Sequence, residues 1–471
     1  MTAPFEATYL PEALPPVEGA WREEARGGVT VRAFYPTPGG IEALAAALRI
    51  RREEAQSIPV ARRIEVFDRL AGQWLDPSNP ERRALIPAIA AWTGFSEAMV
   101  AHALDLEQRS SRAHHLHRAL RQELGAPEAL DGFVRNPTLG GSSRAVGPGL
   151  VGAVCSANIP GLPHLEVMRA LLVKAACLSK TPGGEPLFLA AYARSLRAAH
   201  PDLGRAVAVV ALDRDDAAAR QAFAGAVDHL TVYGGLDAVD AWRVAAARGP
   251  LPRGCTWHGH KLGASLILRE ALGGALAGTA EAVAYDFSLY DREACLSPAA
   301  VYVEGGPDEG RTLARAVASA MEAWAQRLPP GEGSLTTRAA RRRWLDAQLI
   351  SGAEIVAAPP GLPWVVTVDA DPTFGPSAPG RVVRVVPVAS PDAAVAAVAA
   401  LSPWLQCVAL AGPDARTLPL AARLSEAGAS RITRPGLMGL PSMMWRHDGR
   451  PCLGDLVRFC DLEALAPEDN R

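Results

Sequence analysis

Between residues 146 and 249 apolar runs of strand length alternate with helical stretches, and this rhythm constrains the fold more than any other feature. LVGAVCS, CLSK, RAVAVVAL and HLTVYGG are short and almost wholly apolar. PHLEVMRALLVKAA, EPLFLAAYARSLRAAH, AAARQAFAGA and LDAVDAWRVAAARGP carry apolar residues at helical spacing, the last stopped by Gly249-Pro250. Strands buried on both faces, each followed by a helix, fit a parallel sheet, because parallel neighbours need a crossover between them. The fold predicted is therefore α/β and doubly wound. A second α/β stretch opens near Leu262 with ASLILR and an alanine-rich helix running to Tyr290. AAVYVEG, the helix TLARAVASAMEAWAQRL, strands in GLPWVVTVDA and RVVRVVPV, and the helix DAAVAAVAAL follow.

Ahead of this pattern, residues 1–145 read as a mostly helical region behind an irregular, proline-rich lead-in. IEALAAALRIRREEAQ, ARRIEVFDRLAGQWL and ERRALIPAIAAWTG have helical periodicity, and DPSNP marks a break. At 471 residues, two or three lobes are predicted. Residues 146–261 and 262–430 form the two α/β domains, and residues 431–471 a tail that packs on the lobes or on a partner subunit. The net charge of -2 carries no electrostatic footprint for nucleic acid. No apolar run is long enough to span a membrane, and no basic, then apolar, leader opens the chain. Seven cysteines lie scattered without a CxxC pair, so neither a disulfide framework nor a metal site is predicted, and a cytoplasmic location is.

The motifs differ in weight. GPGLVG (147–152) matches GxGxxG but precedes a strand instead of opening a helix, so it is not read as a phosphate loop. HHLH (114–117) lacks the carboxylate or thiol that would complete a metal set. CSANIPG (155–161) falls where the first strand meets its helix, the edge at which doubly wound sheets take ligands. There Asn158 can donate an amide to an oxyanion, although Asn-x-Pro-Gly is also ordinary turn chemistry. Lys180 ends the second strand, with Gly183 and Gly184 beyond, placed to reach a cofactor's ribose or phosphate. Gly234 and Gly235 allow backbone to approach a ligand, or simply turn the chain. TWHGHK gathers His258, His260 and Lys261 at the lobe boundary, where a polar loop is the plainer expectation. Cys295 sits in DREACLSP, punctuated by charge before it and by Ser-Pro after it; a packing thiol needs no such setting.

Four runs taken in order, VGAVCSANIPGLPHLEVMRALLVKAACLSKTPGGEPLFLAAYARSL, TVYGGLDAV, YDREACLSPAAVYVEG and WRHDGRPCLGDLV, resemble the acyl-CoA reductases of the LuxC type, in the aldehyde dehydrogenase superfamily. The resemblance spans about residues 140–465. It implies two doubly wound lobes, 146–261 binding NAD(P) and 262–430 carrying the nucleophile. It implies Cys295 as the acyl-accepting cysteine and Asn158 as the oxyanion donor beside that cysteine's own N–H. Lys180 would contact the adenosine ribose, and Gly234 would open the segment lining the pyrophosphate.

Two departures carry consequences. WHGHK replaces Glu-Leu-Gly-Gly-Lys, so the acid that activates a deacylating water is missing, which favours reduction over hydrolysis. PTFGP puts Pro372 where a ribose-binding glutamate lies in general dehydrogenases. The acid that excludes a 2′-phosphate is absent near Gly183, so NADPH is the cofactor implied, with NADH as its alternative. His258, His260 and His447 are candidate bases, and WRHDG otherwise reads as a tail packed on the catalytic lobe. The implied activity is reduction of a fatty acyl-CoA or acyl-carrier-protein thioester to aldehyde. The alternatives are CoA-acylating aldehyde oxidation and a non-redox acyl-cysteine carrier. An acyl-protein synthetase partner and a homo-oligomer are also implied.

Overall fold

Strands open the chain where an irregular lead-in is predicted. In the computed structural model, which describes residues 3–12, 15–249, 254–333 and 335–463, β1 (Phe5–Glu6), β2 (Gly19–Arg26) and β3 (Val29–Pro36) form a small sheet. Arg26 pairs with Val29 across Gly27-Gly28, both at positive φ, the two-residue glycine hairpin that needs no side chain. Tyr9 then pairs with Val209 at the edge of the first large sheet.

Five helices follow: α1 (Pro38–Ala55), α2 (Val60–Leu75), α3 (Pro80–Thr93), α4 (Glu97–Ser110) and α5 (Ala113–Leu124). Their starts are written in side chains. Thr37 accepts from the Gly40 N–H, Asn79 from Glu81 and Arg82, and Ser96 from Met99, each covering donors the first turn cannot satisfy. Ile41, Leu44, Phe67, Leu70 and Trp74 share one apolar core with Phe188, Phe223 and the sheet residues 207–210, so these helices form a layer on the first lobe. No single helix among the described residues is long and apolar enough to cross a membrane. After β4 (Val134–Asn136) and β5 (Gly141–Val146) the first lobe begins.

That lobe contains β6 (Leu150–Val154), β7 (Ala176–Lys180), β8 (Val207–Val210), β9 (His229–Tyr233) and β10 (Gly254–His258), in the order β10-β9-β6-β7-β8 and parallel throughout. Helices α6 (His164–Leu172), α7 (Phe188–Ala199), α8 (Pro201–Arg205), α9 (Ala217–Ala226) and α10 (Leu236–Arg248) lie between these strands; Pro250, the predicted stop of α10, is outside the described residues. The glycines of GPGLVG serve packing: a Cβ on Gly147 would lie 1.9 Å from the Val173 carbonyl oxygen.

The second lobe is built on β11 (Leu262–Ile267), β12 (Pro298–Glu304), β13 (Glu354–Ala357), β14 (Trp364–Val368), β15 (Arg381–Val388), β16 (Leu405–Ala411) and β17 (Arg431–Thr433). Its order is β13-β14-β15-β12-β11-β16-β17, with only β13 antiparallel. Alternate residues of β12 enter different cores, Ala300 and Tyr302 on one face and Val301 and Val303 on the other. Helices α11 (Leu276–Ser288), α12 (Pro307–Arg327), α13 (Leu335–Ile350), α14 (Pro391–Ala399) and α15 (Asp414–Glu426) cover them. Finally β18 (Arg458–Leu462) returns to pair antiparallel with β5.

Candidate active site

Because β6–β10 are parallel, their last residues, Val154, Lys180, Val210, Tyr233 and His258, share one edge. The strand order reverses beside β6, with β7 and β8 on one side and β9 and β10 on the other, which opens a crevice between the loops after β6 and β9. A cleft of about 1580 Å³ lies there, walled by the second lobe opposite. Asn158, Lys180, Gly183, Gly234, Gly235, His258, His260, Cys295 and His447 all line it.

Cys295 is presented by an irregular turn. Tyr290, Asp291 and Arg292 have φ of 54°, 47° and 63°, a region L-residues avoid, and the surroundings hold them there. Tyr290 is buried, with its N–H against Met99 Sδ. Asp291 accepts from Arg381 Nε at 2.6 Å and from the Gly331 N–H at 2.9 Å. Arg292 Nε donates to the Gly380 carbonyl at 2.9 Å. Burial pushes the Cys295 thiol up to about 12, with the charge of Asp448 and the Cys407 thiol adding to it. The sulfur is thus a thiol at rest and needs a proton acceptor to act as nucleophile.

Asn158 Nδ2 donates to the Glu293 carbonyl at 3.1 Å, which ties its loop to the cysteine turn. The loop is held from behind by His164, whose Nδ1–H donates to the Gly161 carbonyl at 2.7 Å while Nε2 meets Ser111 Oγ at 2.8 Å. Gly161 is at φ +89°, and a Cβ there would also meet Leu104 at 2.8 Å, so only glycine turns this corner.

Burial lowers the Lys180 ammonium below its ordinary range. A Cβ on Gly183 or Gly235 would meet nothing within 4 Å, so open cleft lies beside that backbone. Gly235 caps the N-terminus of the 13-residue helix α10 at the same edge. Exposed amide donors and a lysine fit the phosphates and ribose of a dinucleotide. By contrast, Pro372 lies outside the cleft lining, its carbonyl accepting from Tyr302 Oη at 2.8 Å.

TWHGHK is not simply a boundary loop, since His258 ends β10 and Gly259, His260 and Lys261 lie beyond it. Nor does WRHDG only cover the catalytic lobe. Asp448 meets His258 Nδ1 at 2.7 Å in the first lobe and accepts from Gln406 Nε2 at 2.7 Å in the second. Tyr233, His258, His447 and Trp445 stack in series, with centroids 4.3, 4.0 and 4.6 Å apart. Burial opposes the Asp448 charge, yet hydrogen bonds from His258 and Gln406 and the imidazole of His447 bring it down to about 2. Burial and then His258 hold His447 well below the usual imidazole range. His260 is exposed at the rim. Asp448, Gln406, Tyr233 and the arginines 292, 341 and 381 were not read as site residues; the signals available were that Asp448, Tyr233 and Arg292 lie inside the motifs WRHDG, TVYGGLDAV and DREACLSP.

The two lobes form an aldehyde dehydrogenase-like fold. The chain is similar to aldehyde dehydrogenase C of Pseudomonas syringae, solved with NAD+ and octanal (TM-score 0.72, 16% identity, 98% of this chain and 97% of that one), and to an NAD-dependent aldehyde dehydrogenase of Sinorhizobium meliloti (TM-score 0.72, 16% identity, 98% and 95%). Within that class the model of the family "Acyl-CoA reductase (LuxC)" matches residues 55–459, and the chain belongs to that family. Curated relatives include the long-chain acyl-protein thioester reductase of Aliivibrio fischeri, 24% identical over 403 residues (83% of this chain, 80% of the relative), and thioester reductase 2 of Photobacterium leiognathi, 24% identical over 319 residues (65% and 62%).

Proposed function

We propose that this protein reduces a fatty acyl thioester to the aldehyde through an acyl group carried on Cys295, with NADPH as reductant. The observation carrying this reading is that Cys295, Asn158, Lys180 and Gly235, from four separate segments, line one cleft. The family and the thioester reductase relatives support the same activity.

The Cys295 sulfur attacks the thioester carbonyl, its proton passing to the histidine pair held by Asp448. One Asn158 N–H is engaged with Glu293; the other, with the Cys295 backbone N–H, stabilises the tetrahedral oxyanion. The intermediate collapses, the donor thiolate takes up a proton and leaves, and acyl-Cys295 remains. A dinucleotide held in the first lobe would supply hydride chemistry for reduction of the acyl carbonyl that Cys295 presents. The anionic thiohemiacetal left on Cys295 breaks its C–S bond, releasing aldehyde, and the Cys295 thiolate takes up a proton from solvent. Lys180 and the N-terminus of α10 would hold ribose and diphosphate. Preference for NADPH is supported by the missing acid at Gly183 and by Arg214 and Arg220, which line the cleft beyond β8, the neighbour of the strand ending in Lys180.

The acyl donor is a CoA or carrier-protein thioester, or the acyl enzyme of a synthetase, and the site of action is the cytoplasm. Homo-oligomerisation through the exposed strand β18 completes the reading. Intact mass after mixing with a medium-chain acyl-CoA, without cofactor, tests it. A single acyl adduct, absent from Cys295→Ala and discharged by NADPH with release of aldehyde, is expected. An adduct that NADPH cannot discharge would leave an acyl carrier instead.

A further inference from the structure

Around Asp291, four residues before the nucleophile, the protein gathers three guanidinium groups. Arg381 is 1% exposed; its Nε is bound to Asp291, while Nη1 and Nη2 have no hydrogen-bond partner. Arg341 is 7% exposed and donates Nη1 to the Leu362 carbonyl, leaving Nε unpartnered. Arg292 donates to the carbonyls of Gly380 and Ala378. The buried hydroxyl of Ser377 is likewise without a partner. All four side chains belong to the cleft lining.

The charges in this corner do not balance. Of the three arginines Asp291 is bonded to Arg381 alone, its second oxygen being taken by the Gly331 N–H, and the carboxylate acting on Arg292 is Glu293, so two carboxylates face three guanidinium groups. Glu293 lies beside Arg292 but is exposed. Backbone carbonyls satisfy N–H groups without neutralising the cations, and buried charge without a counter-charge is costly. Burial accordingly holds all three below the ordinary arginine range. An arriving oxyanion would meet donors already oriented and a charge already desolvated. A guanidinium matches phosphate in geometry as well as sign.

We propose that Arg292, Arg341 and Arg381, with the Ser377 hydroxyl, form a pocket for a phosphate group on the second-lobe wall of the cleft. The phosphate that fits here is that of the acyl donor's 4′-phosphopantetheine arm; the competing source, which would move the dinucleotide's diphosphate away from the N-terminus of α10, is an outcome the test separates. The naming of these two sources rests on the thioester reductase reading; the pocket itself does not.

The first probe is inorganic pyrophosphate, titrated calorimetrically into the wild-type protein, Arg341→Gln and Arg341→Lys, with melting temperatures as the control for folding. Wild type should bind. Arg341→Gln should bind about tenfold or more weakly, the loss of one charge-assisted contact, with Arg341→Lys between them. Equal binding by all three proteins would overturn the pocket. The source is then read from NADPH affinity by fluorescence, and from Cys295 acylation by an acyl-CoA and by the N-acetylcysteamine thioester of the same acid, which has no phosphate. A loss confined to NADPH assigns the dinucleotide. A loss for acyl-CoA about tenfold greater than for the N-acetylcysteamine thioester assigns the pantetheine arm. Equal losses for both thioesters, with pyrophosphate and NADPH binding intact, would make the cluster a brace for the cysteine turn and end the proposal. Failure of wild type to be acylated by either thioester or by acyl-protein donors would sink the reductase reading, while the pyrophosphate titration still decides the pocket.

Discussion

The side-chain amide of Asn158 donates to the backbone carbonyl of Glu293 at 3.1 Å, so the loop after β6 and the turn presenting Cys295 hold one another across the lobe boundary. Asn158→Ala removes this tie and, under the proposed mechanism, an oxyanion donor. Acylation of Cys295 should slow by about 10²–10³, measured by quenched-flow mass spectrometry. An unchanged acylation rate would remove Asn158 from the oxyanion site.

With its thiol held up to about 12, Cys295 has a thiolate fraction that keeps growing across the accessible pH range. Alkylation by iodoacetamide in the absence of substrate should accelerate about tenfold per pH unit from 7 to 9, without a plateau. Peptide mapping identifies the modified cysteine. A plateau near neutrality would mean an activated thiolate at rest.

Asp448 acts on Cys295 in two opposed ways. Its negative charge disfavours the thiolate, while its contact with His258 fixes an imidazole of the pair proposed above as proton acceptor. Asp448→Asn should therefore speed alkylation of Cys295 at a fixed pH and slow its acylation by thioester. Both rates moving in the same direction would contradict the assignment of the histidine pair as proton acceptor.

His164 is fully buried, and burial lowers its imidazole to about 4 despite the hydrogen bond to Gly161. The folded pKa lies below the unfolded value of 6.5, so between these values the unfolded chain binds the extra proton and stability rises with pH. Acidifying from pH 7 to 5 should cost about 2 kcal/mol through this residue. In urea titrations at both pH values, His164→Gln should lose less stability on acidification than wild type does. Equal losses would place the pH dependence elsewhere.

How much of this was readable from the chain varied by element. β6 to β9 announce themselves because both faces of each strand are buried, leaving no polar alternation to confuse with a surface element. The hairpin β2–β3 escaped notice: every residue of β2 is exposed, and the one clear signal was the Gly27-Gly28 pair. β10 escaped for a related reason. As an edge strand with a mixed burial pattern, its polar end resembles a loop.

Local sequence determined the doubly wound pattern, the helix caps, and the segments that bring Cys295, Asn158 and Lys180 to the cleft, because each depends on residues within a few positions of one another. Tertiary structure decided what those groups face. His258 and Asp448 lie 190 residues apart, and Asp291 and Arg381 lie 90 apart, yet each pair is in direct contact. Nothing in local spacing encodes such meetings. They arise where the carboxyl edge of one parallel sheet closes against a second lobe, and a charge excluded from water there must settle on whichever partner the closure brings within reach.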